Sequence, residues 1–210
     1  DDGSVWLGTG DRGVIHLTLD SGGTPRLKRY DLTDSASSTP PKGQNFVLAL
    51  HKDREGYVWA GTIRGGLTRI DSRTGDVRHY RNEPGNPLSL SHNTVGSICE
   101  DESGNLWIGT GFEAIPDGGG INMLDCKTGR FRRFMHDASD LASLPSGRIG
   151  SIMIDRGGTL WIGTLDEGLA SIPLHELAVG KKASFTIYPD LRKEIIVSLY
   201  EDRWGNVWAS

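Results

Sequence analysis

The sequence predicts an all-β fold of repeated four-stranded antiparallel blades, and three observations carry that expectation. A ten-residue pattern, clearest as Asp-Glu-Ser-Gly-Asn-Leu-Trp-Ile-Gly-Thr at 101–110, returns in four further copies along the 210 residues. Its turn glycines Gly3, Gly56, Gly104, Gly158 and Gly205 stand 53, 48, 54 and 47 residues apart, a period that belongs to propellers, solenoids and arrays. Between the copies lie only short apolar runs broken by Gly, Asp, Asn and Ser, which read as strands and hairpins. Four such runs fill each period, and four strands per period make a propeller blade.

Each strand has its own signature. The first precedes the copy: Phe46 to Leu50, Val95 to Cys99, Ile149 to Ile154 and Ile195 to Tyr200. The second is the Trp run itself. The third follows a glycine: Val14 to Leu19, Leu67 to Ile70, Ile121 to Leu124 and Leu169 to Ile172. The fourth carries an apolar residue three places before an aromatic one: Leu27 and Tyr30, Val77 and Tyr80, Phe131 and Phe134, Phe185 and Tyr188. On this reading residues 1–31 supply strands two to four of one blade. Residues 45–81, 94–135 and 148–188 each make a blade, and 195–210 supply the first two strands of another. About four blades are present. Because the chain opens and closes on a second strand, the expectation is part of a larger propeller of the seven-bladed type, with a free-standing ring as the alternative. Pro173 should end its strand, since proline cannot donate to a ladder, and Leu174 to Lys182 is read as a short helical turn.

Several classes of function are excluded on composition. A formal net charge of -4 with interspersed signs offers no basic stripe for phosphate contacts, so no nucleic-acid partner is expected. The apolar runs are far shorter than the ~20 residues that span a bilayer, so no membrane contact is expected from this segment. Cys99 and Cys126, separated by one strand of the same blade, are read as free, partly buried thiols, because their spacing exceeds disulfide reach. The many glycines answer to turns and match no phosphate-binding fingerprint in a strand-to-helix setting. His175-Glu176 begins like a zinc-protease motif, but Val179 stands where the second His is needed. His16, His51, His79, His92, His136 and His175 fall at unlike repeat positions. No metal, cofactor or catalytic residue is expected.

Some residues recur in fixed order: the Trp-x-Gly-Thr copies, the pairs Gly65-Gly66 and Gly119-Gly120, the turns Asp71 to Gly75 and Asp125 to Gly129, and Ser-Leu-Ser-x-Asn at 89–93. On these the whole chain resembles the two-component regulator propeller repeat of bacterial sensor proteins, especially the periplasmic halves of hybrid histidine kinases. The resemblance implies a non-enzymatic, periplasmic sensor domain. Its implied partners are an oligosaccharide ligand, adjacent propeller and output domains of the same receptor, and a second copy in a homodimer. Two alternatives are kept, a protein-contact or dimerisation scaffold and a propeller lyase.

In a four-stranded meander the loops after the second and fourth strands emerge at one end, and that end collects the sequence variation. The candidate ligand-binding residues there are Arg12, Arg64, Phe112, Glu113, Asp117, Arg148, Asp166 and Glu167. Phe112, Glu113 and Asp117 belong to an insertion at 111–118, where an aromatic face beside carboxylates suits a sugar or a protein surface. Asn45 and Asn93 hold equivalent positions and read as caps on their strands. Trp6, Trp59, Trp107, Trp161 and Trp208 share one register position, which assigns them to packing between blades. Trp204 falls in a turn.

Overall fold

The computed structural model describes residues 3–33, 42–112, 119–177 and 182–210. Among the described residues seventeen strands form five antiparallel sheets, each a meander of sequence neighbours. The first holds β1 (Val5–Gly8), β2 (Val14–Leu19) and β3 (Pro25–Tyr30); the second holds β4 (Val47–Lys52), β5 (Tyr57–Thr62), β6 (Gly66–Asp71) and β7 (Val77–Tyr80). The third holds β8 (Val95–Glu100), β9 (Leu106–Thr110), β10 (Gly120–Asp125) and β11 (Arg130–Met135). The fourth holds β12 (Ile149–Ile154), β13 (Thr159–Thr164), β14 (Leu169–Pro173) and β15 (Thr186–Ile187). The fifth pairs β16 (Leu199–Glu201) with β17 (Val207–Ala209). The initial strands β4, β8, β12 and β16 neighbour one another in turn, which places them on the inside of an arc of propeller blades.

In the second to fifth sheets an aspartate fixes the turn between the first two strands. Asp101 accepts the backbone N–H groups of Ser103 and Asn105 on Oδ1, each at 2.9 Å, and the Trp107 indole N–H on Oδ2 at 2.9 Å. Asp53, Asp155 and Asp202 hold Trp59, Trp161 and Trp208 in the same way, at 2.6, 2.7 and 3.0 Å. One carboxylate therefore shapes the hairpin and satisfies the indole donor. Each indole then meets the aromatic residue of the outer strand, with ring centres 5.5–5.8 Å apart in Trp6–Tyr30, Trp59–Tyr80, Trp107–Phe134 and Trp161–Tyr188. Trp208 departs from the other four: its two-stranded sheet has no outer aromatic, and it stands 62% exposed.

The other letters of Trp-x-Gly-Thr act between strands and between sheets. A Cβ on Gly8, Gly61, Gly109 or Gly163 would lie 2.6, 2.5, 2.6 or 2.4 Å from a methyl group of Val47, Val95, Ile149 or Ile196 on the next sheet. The absent side chain thus lets neighbouring sheets close. The hydroxyls of Thr9, Thr62, Thr110 and Thr164 donate to the carbonyls of Gly13, Gly66, Gly120 and Gly168 at 2.9–3.2 Å, tying the loop after the second strand. A spacing of three within a strand puts two side chains on opposite faces, and the outer strands use this. Tyr80 reaches Phe131 and Phe134 reaches Phe185 across the gap between sheets, 5.9 and 6.4 Å between centres. Three apolar clusters fill the gaps, the one between the third and fourth sheets including Trp107, Ile121, Leu160 and Ile172.

Two local expectations change. The run Ile195 to Tyr200 becomes a strand only at Leu199, and Ile196 donates its N–H to the carbonyl of Thr164 on the preceding sheet at 2.8 Å. The turn after Pro173 is a 3-10 helix over Leu174–Leu177, and the remainder of that stretch up to 181 lies outside the described residues.

Gly109→Ala should destabilise the protein by about 1–3 kcal/mol through overpacking against Ile149. Combined with Ile149→Ala, the loss in urea denaturation should fall short of the sum by at least ~0.5 kcal/mol; strict additivity would count against the contact. A second expectation concerns acid. Side-chain donors from Asn206 and Trp208 hold the Asp202 carboxyl at about 2, below the usual 3.8. A depressed carboxyl contributes stability that is complete above its ordinary value and is lost as pH falls through the depressed one. The Trp208 indole N–H resonance should therefore stay constant from neutral pH to the ordinary carboxyl range and move with a midpoint near 2.

Candidate functional site

The loops between sheets are held down before any ligand is considered. The segment after β7 packs Leu90 into the gap between the second and third sheets. There Ser91 donates its N–H to Asn122 Oδ1 at 2.8 Å, and Arg133 donates to the carbonyls of Asn86, Ser89 and Leu90 at 2.8 Å. Leu144 fills the same role one sheet later. Asn45 accepts the Leu32 N–H at 2.7 Å and donates to Asp31 at 2.9 Å, while Asn93 accepts the Asn82 N–H at 2.7 Å. Both asparagines join the exit of one sheet to the start of the next.

The candidate residues on the loop end divide. Arg12 is exposed, its N–H donating to Thr9 Oγ1 at 2.9 Å and its guanidinium 3.8 Å from Asp11. Arg64 adopts φ 62°, a left-handed conformation uncommon outside glycine, with its N–H directed to Thr94 Oγ1. Phe112 is 37% exposed and lies over Gly96 of its own sheet, where a Cβ would meet the ring at 3.3 Å. Glu113 and Asp117 lie outside the described residues.

Arg148, Asp166 and Glu167 come together at the fourth sheet. Arg148 Nη1 lies 3.4 Å from Asp166 Oδ2, and Arg192 Nε lies 3.7 Å from Glu167 Oε2. Arg148 Nε and Asp166 Oδ1 are both shielded from solvent and have no hydrogen-bond partner. Beside them a cleft of about 70 Å³ is bounded by His136, Asp140, Leu141, Glu167, Ile187 and Arg192. Two charged pairs with spare donor and acceptor capacity, next to an apolar wall, suit a polar ligand that offers hydroxyls.

The opposite end, where only repetitive turns are expected, also holds a cavity. A space of about 590 Å³ lies between the third and fourth sheets, with Glu102, Trp107, Met123, Asp125 and Arg132 on one side and Ile154, Leu174 and His175 on the other. Its signal in the sequence is a change of residue type between aligned copies: Arg54 and Arg156 follow their turn aspartates, whereas Glu102 follows Asp101.

The histidines are dispersed. His16 stacks on Trp6 with ring centres 4.0 Å apart, His79 meets Thr68 at 3.0 Å, and His136 meets the Leu144 carbonyl at 2.8 Å. Among the described residues no group of three or more His, Cys, Asp or Glu side chains is placed to hold a metal ion. Both cysteines are free thiols, and burial pushes Cys99 to about 12 and Cys126 to about 11. No described helix is long and apolar enough to cross a membrane.

Comparison with known proteins agrees with this architecture. Residues 41–64, 89–112 and 143–166 match the family model described as two component regulator propeller. The fold is similar to the extracellular domain of a hybrid two component system of B. thetaiotaomicron, with a TM-score of 0.74 and 25% identity over 99% of this chain and 26% of that one. It is also similar to the extracellular domain of a one component system of the same organism, with a TM-score of 0.63 and 22% identity over 99% of this chain and 33% of that one. Virginiamycin B lyase from Staphylococcus aureus shares the fold at a TM-score of 0.65 and 16% identity, over 100% of this chain and 60% of the lyase. No curated protein matches. The chain spans about a quarter to a third of the two extracellular domains. The three matched segments each contain the end of one sheet's connecting loop, the first strand and the Trp hairpin, and in these segments the chain is similar to two-component regulator propeller repeats.

Proposed function

We propose that this chain is the ligand-sensing part of an extracytoplasmic receptor of the two-component type, periplasmic in location, and that its ligand is an oligosaccharide held at the loop end. The observation that carries the reading is the half-buried Arg148–Asp166 pair, with one unsatisfied donor and one unsatisfied acceptor, beside Glu167 and Arg192. Sugar hydroxyls are donors and acceptors at once and suit the solvent-facing parts of these charged groups. The extracellular domains similar in fold belong to signalling systems, which favours a sensor over the lyase alternative. Ligand binding acts on the output by preferring one arrangement of this arc against adjacent propeller domains or a second receptor copy, because a ligand shifts an equilibrium only through differential affinity.

Trp204 favours a second contact of a different kind. It is 72% exposed at a turn and stacks with Arg203, whose guanidinium carbon is 4.2 Å from the ring, a pairing common where protein surfaces meet.

Calorimetric titration of the receptor's extracytoplasmic region with a panel of oligosaccharides should find one that binds. Arg148→Ala and Asp166→Ala should each weaken it by about tenfold, the loss of a charge-assisted hydrogen bond. Each should cost only ~1 kcal/mol or less of stability, since the pair is partly exposed. Binding that survives both changes undiminished would place the ligand elsewhere. Sedimentation that is unchanged by Trp204→Ser would remove the protein-contact reading of that side chain.

A further inference from the structure

One junction between sheets is unlike its neighbour. In the second sheet the residue across from the Trp59 indole on the third strand is Arg69. Its guanidinium carbon lies 4.3 Å from the centre of the Tyr57 ring and 6.0 Å from that of Trp59. With Arg69 in place, the turn-end space between the second and third sheets is reduced to about 20 Å³. At the inner edge of the same junction Arg54 donates from Nη1 to the Glu102 carbonyl at 3.0 Å, with Nε 3.9 Å from Glu100.

One sheet later both arginines are gone. Met123 stands across from Trp107, Asn105 replaces Tyr57, Glu102 replaces Arg54, and Ile154 stands where Glu100 did. The corresponding space opens to about 590 Å³. Two positive charges, Arg54 and Arg69, are gone and the negative charge of Glu102 is gained, while the negative charges of Glu55 and Glu100 give way to Ser103 and Ile154, so the junction is more negative by one charge; Asp125 keeps the place of Asp71. Arg132, the cation that remains on the wall, is engaged: it donates to the Leu177 carbonyl and lies 4.7 Å from the centre of the Phe134 ring.

We propose that this cavity receives an arginine side chain presented by a segment of a partner protein. The shape follows from the preceding junction, where an arginine of the chain itself occupies the equivalent place. Its alkyl stem lies along Met123, Ile154 and the edge of Trp107, as long cationic side chains do on apolar walls. Its guanidinium meets the carboxylates of Glu102 and Asp125, for which a planar donor fork is well matched. The site is at the end of the sheets opposite Arg148 and Asp166, so it is independent of oligosaccharide binding.

The test uses the folded protein and three capped tripeptides, Gly-Arg-Gly, Gly-Lys-Gly and Gly-citrulline-Gly, followed through the Trp107 indole N–H resonance. The arginine peptide should saturate at least about tenfold below the citrulline peptide, which keeps the shape without the charge, and below the lysine peptide, which lacks the fork. Glu102→Gln should weaken the arginine peptide by about fivefold or more. Met123→Arg should restore the packing of the preceding junction, abolish peptide binding and leave the fold intact by circular dichroism. Equal affinity for arginine and citrulline peptides, undiminished binding in folded Met123→Arg protein, or no movement of the Trp107 signal would each overturn the proposal. Displacement by an oligosaccharide would overturn its independence from the loop end.

Discussion

The carboxylate of the turn aspartate is the constraint on which the rest of the molecule depends. An isolated two-stranded hairpin is marginal in water, and an indole N–H carried into an apolar gap costs free energy unless it finds an acceptor. Asp53, Asp101, Asp155 and Asp202 answer both requirements with one side chain, since one oxygen closes the turn and the other receives the indole. With the Trp side chain fixed, the outer aromatic has a surface to pack on, and the gap between sheets has a defined width. The glycine two residues beyond Trp6, Trp59, Trp107 and Trp161 then lets the next sheet approach to that width. Local turn chemistry and long-range sheet packing are thereby joined through a single group.

Much of this was legible in the sequence, and what was not has a physical reason. The Asp-x-x-Gly turn, the strand runs and the spacing of three in the outer strands are local patterns, and local patterns survive in one dimension. The roles of Gly109 and Thr110 were not readable, because one answers to Ile149 of the following sheet and the other to a carbonyl ten residues on. Of the expected run Ile195 to Tyr200 only Leu199 and Tyr200 lie in the strand, while Ile196 bonds to Thr164 of the sheet before. At the site, chain topology was enough to send Arg12, Arg64, Phe112, Arg148, Asp166 and Glu167 to one end. It could not tell that Arg148 meets Asp166, 18 positions away, or that Phe112 lies on Gly96.

The two ends of the sheets differ in how room for a partner arises. At the loop end, room is what the connecting straps leave over after Leu90 and Leu144 have been buried and Arg133 has tied the carbonyls of its neighbours. At the turn end, the turns between first and second strands keep their length, and room appears where Met123 stands in place of the space-filling Arg69 and where the facing connection is the 3-10 helix Leu174–Leu177 and not a short turn. The first depends on how the connecting backbone is tied down. The second joins a change in side-chain volume and charge to a longer connection on the facing sheet, and is visible only when copies of the repeat are set beside one another in three dimensions.

The turn arginines also bear on how near-identical units avoid assembling in the wrong succession. Arg54 meets Glu100 of the sheet that follows it, and Arg156 meets Glu201. Were the third sheet skipped, Arg54 would face Ile154; were the fourth skipped, Glu102 would face Glu201; and two copies of the third sheet side by side would oppose Glu102 to Glu100. Tandem repeats are prone to swapped and misordered pairings during synthesis, and like charges brought together cost free energy. The charge pattern along the turns thus disfavours these three misorderings, while Arg54 and Arg156 each meet a glutamate of the proper successor.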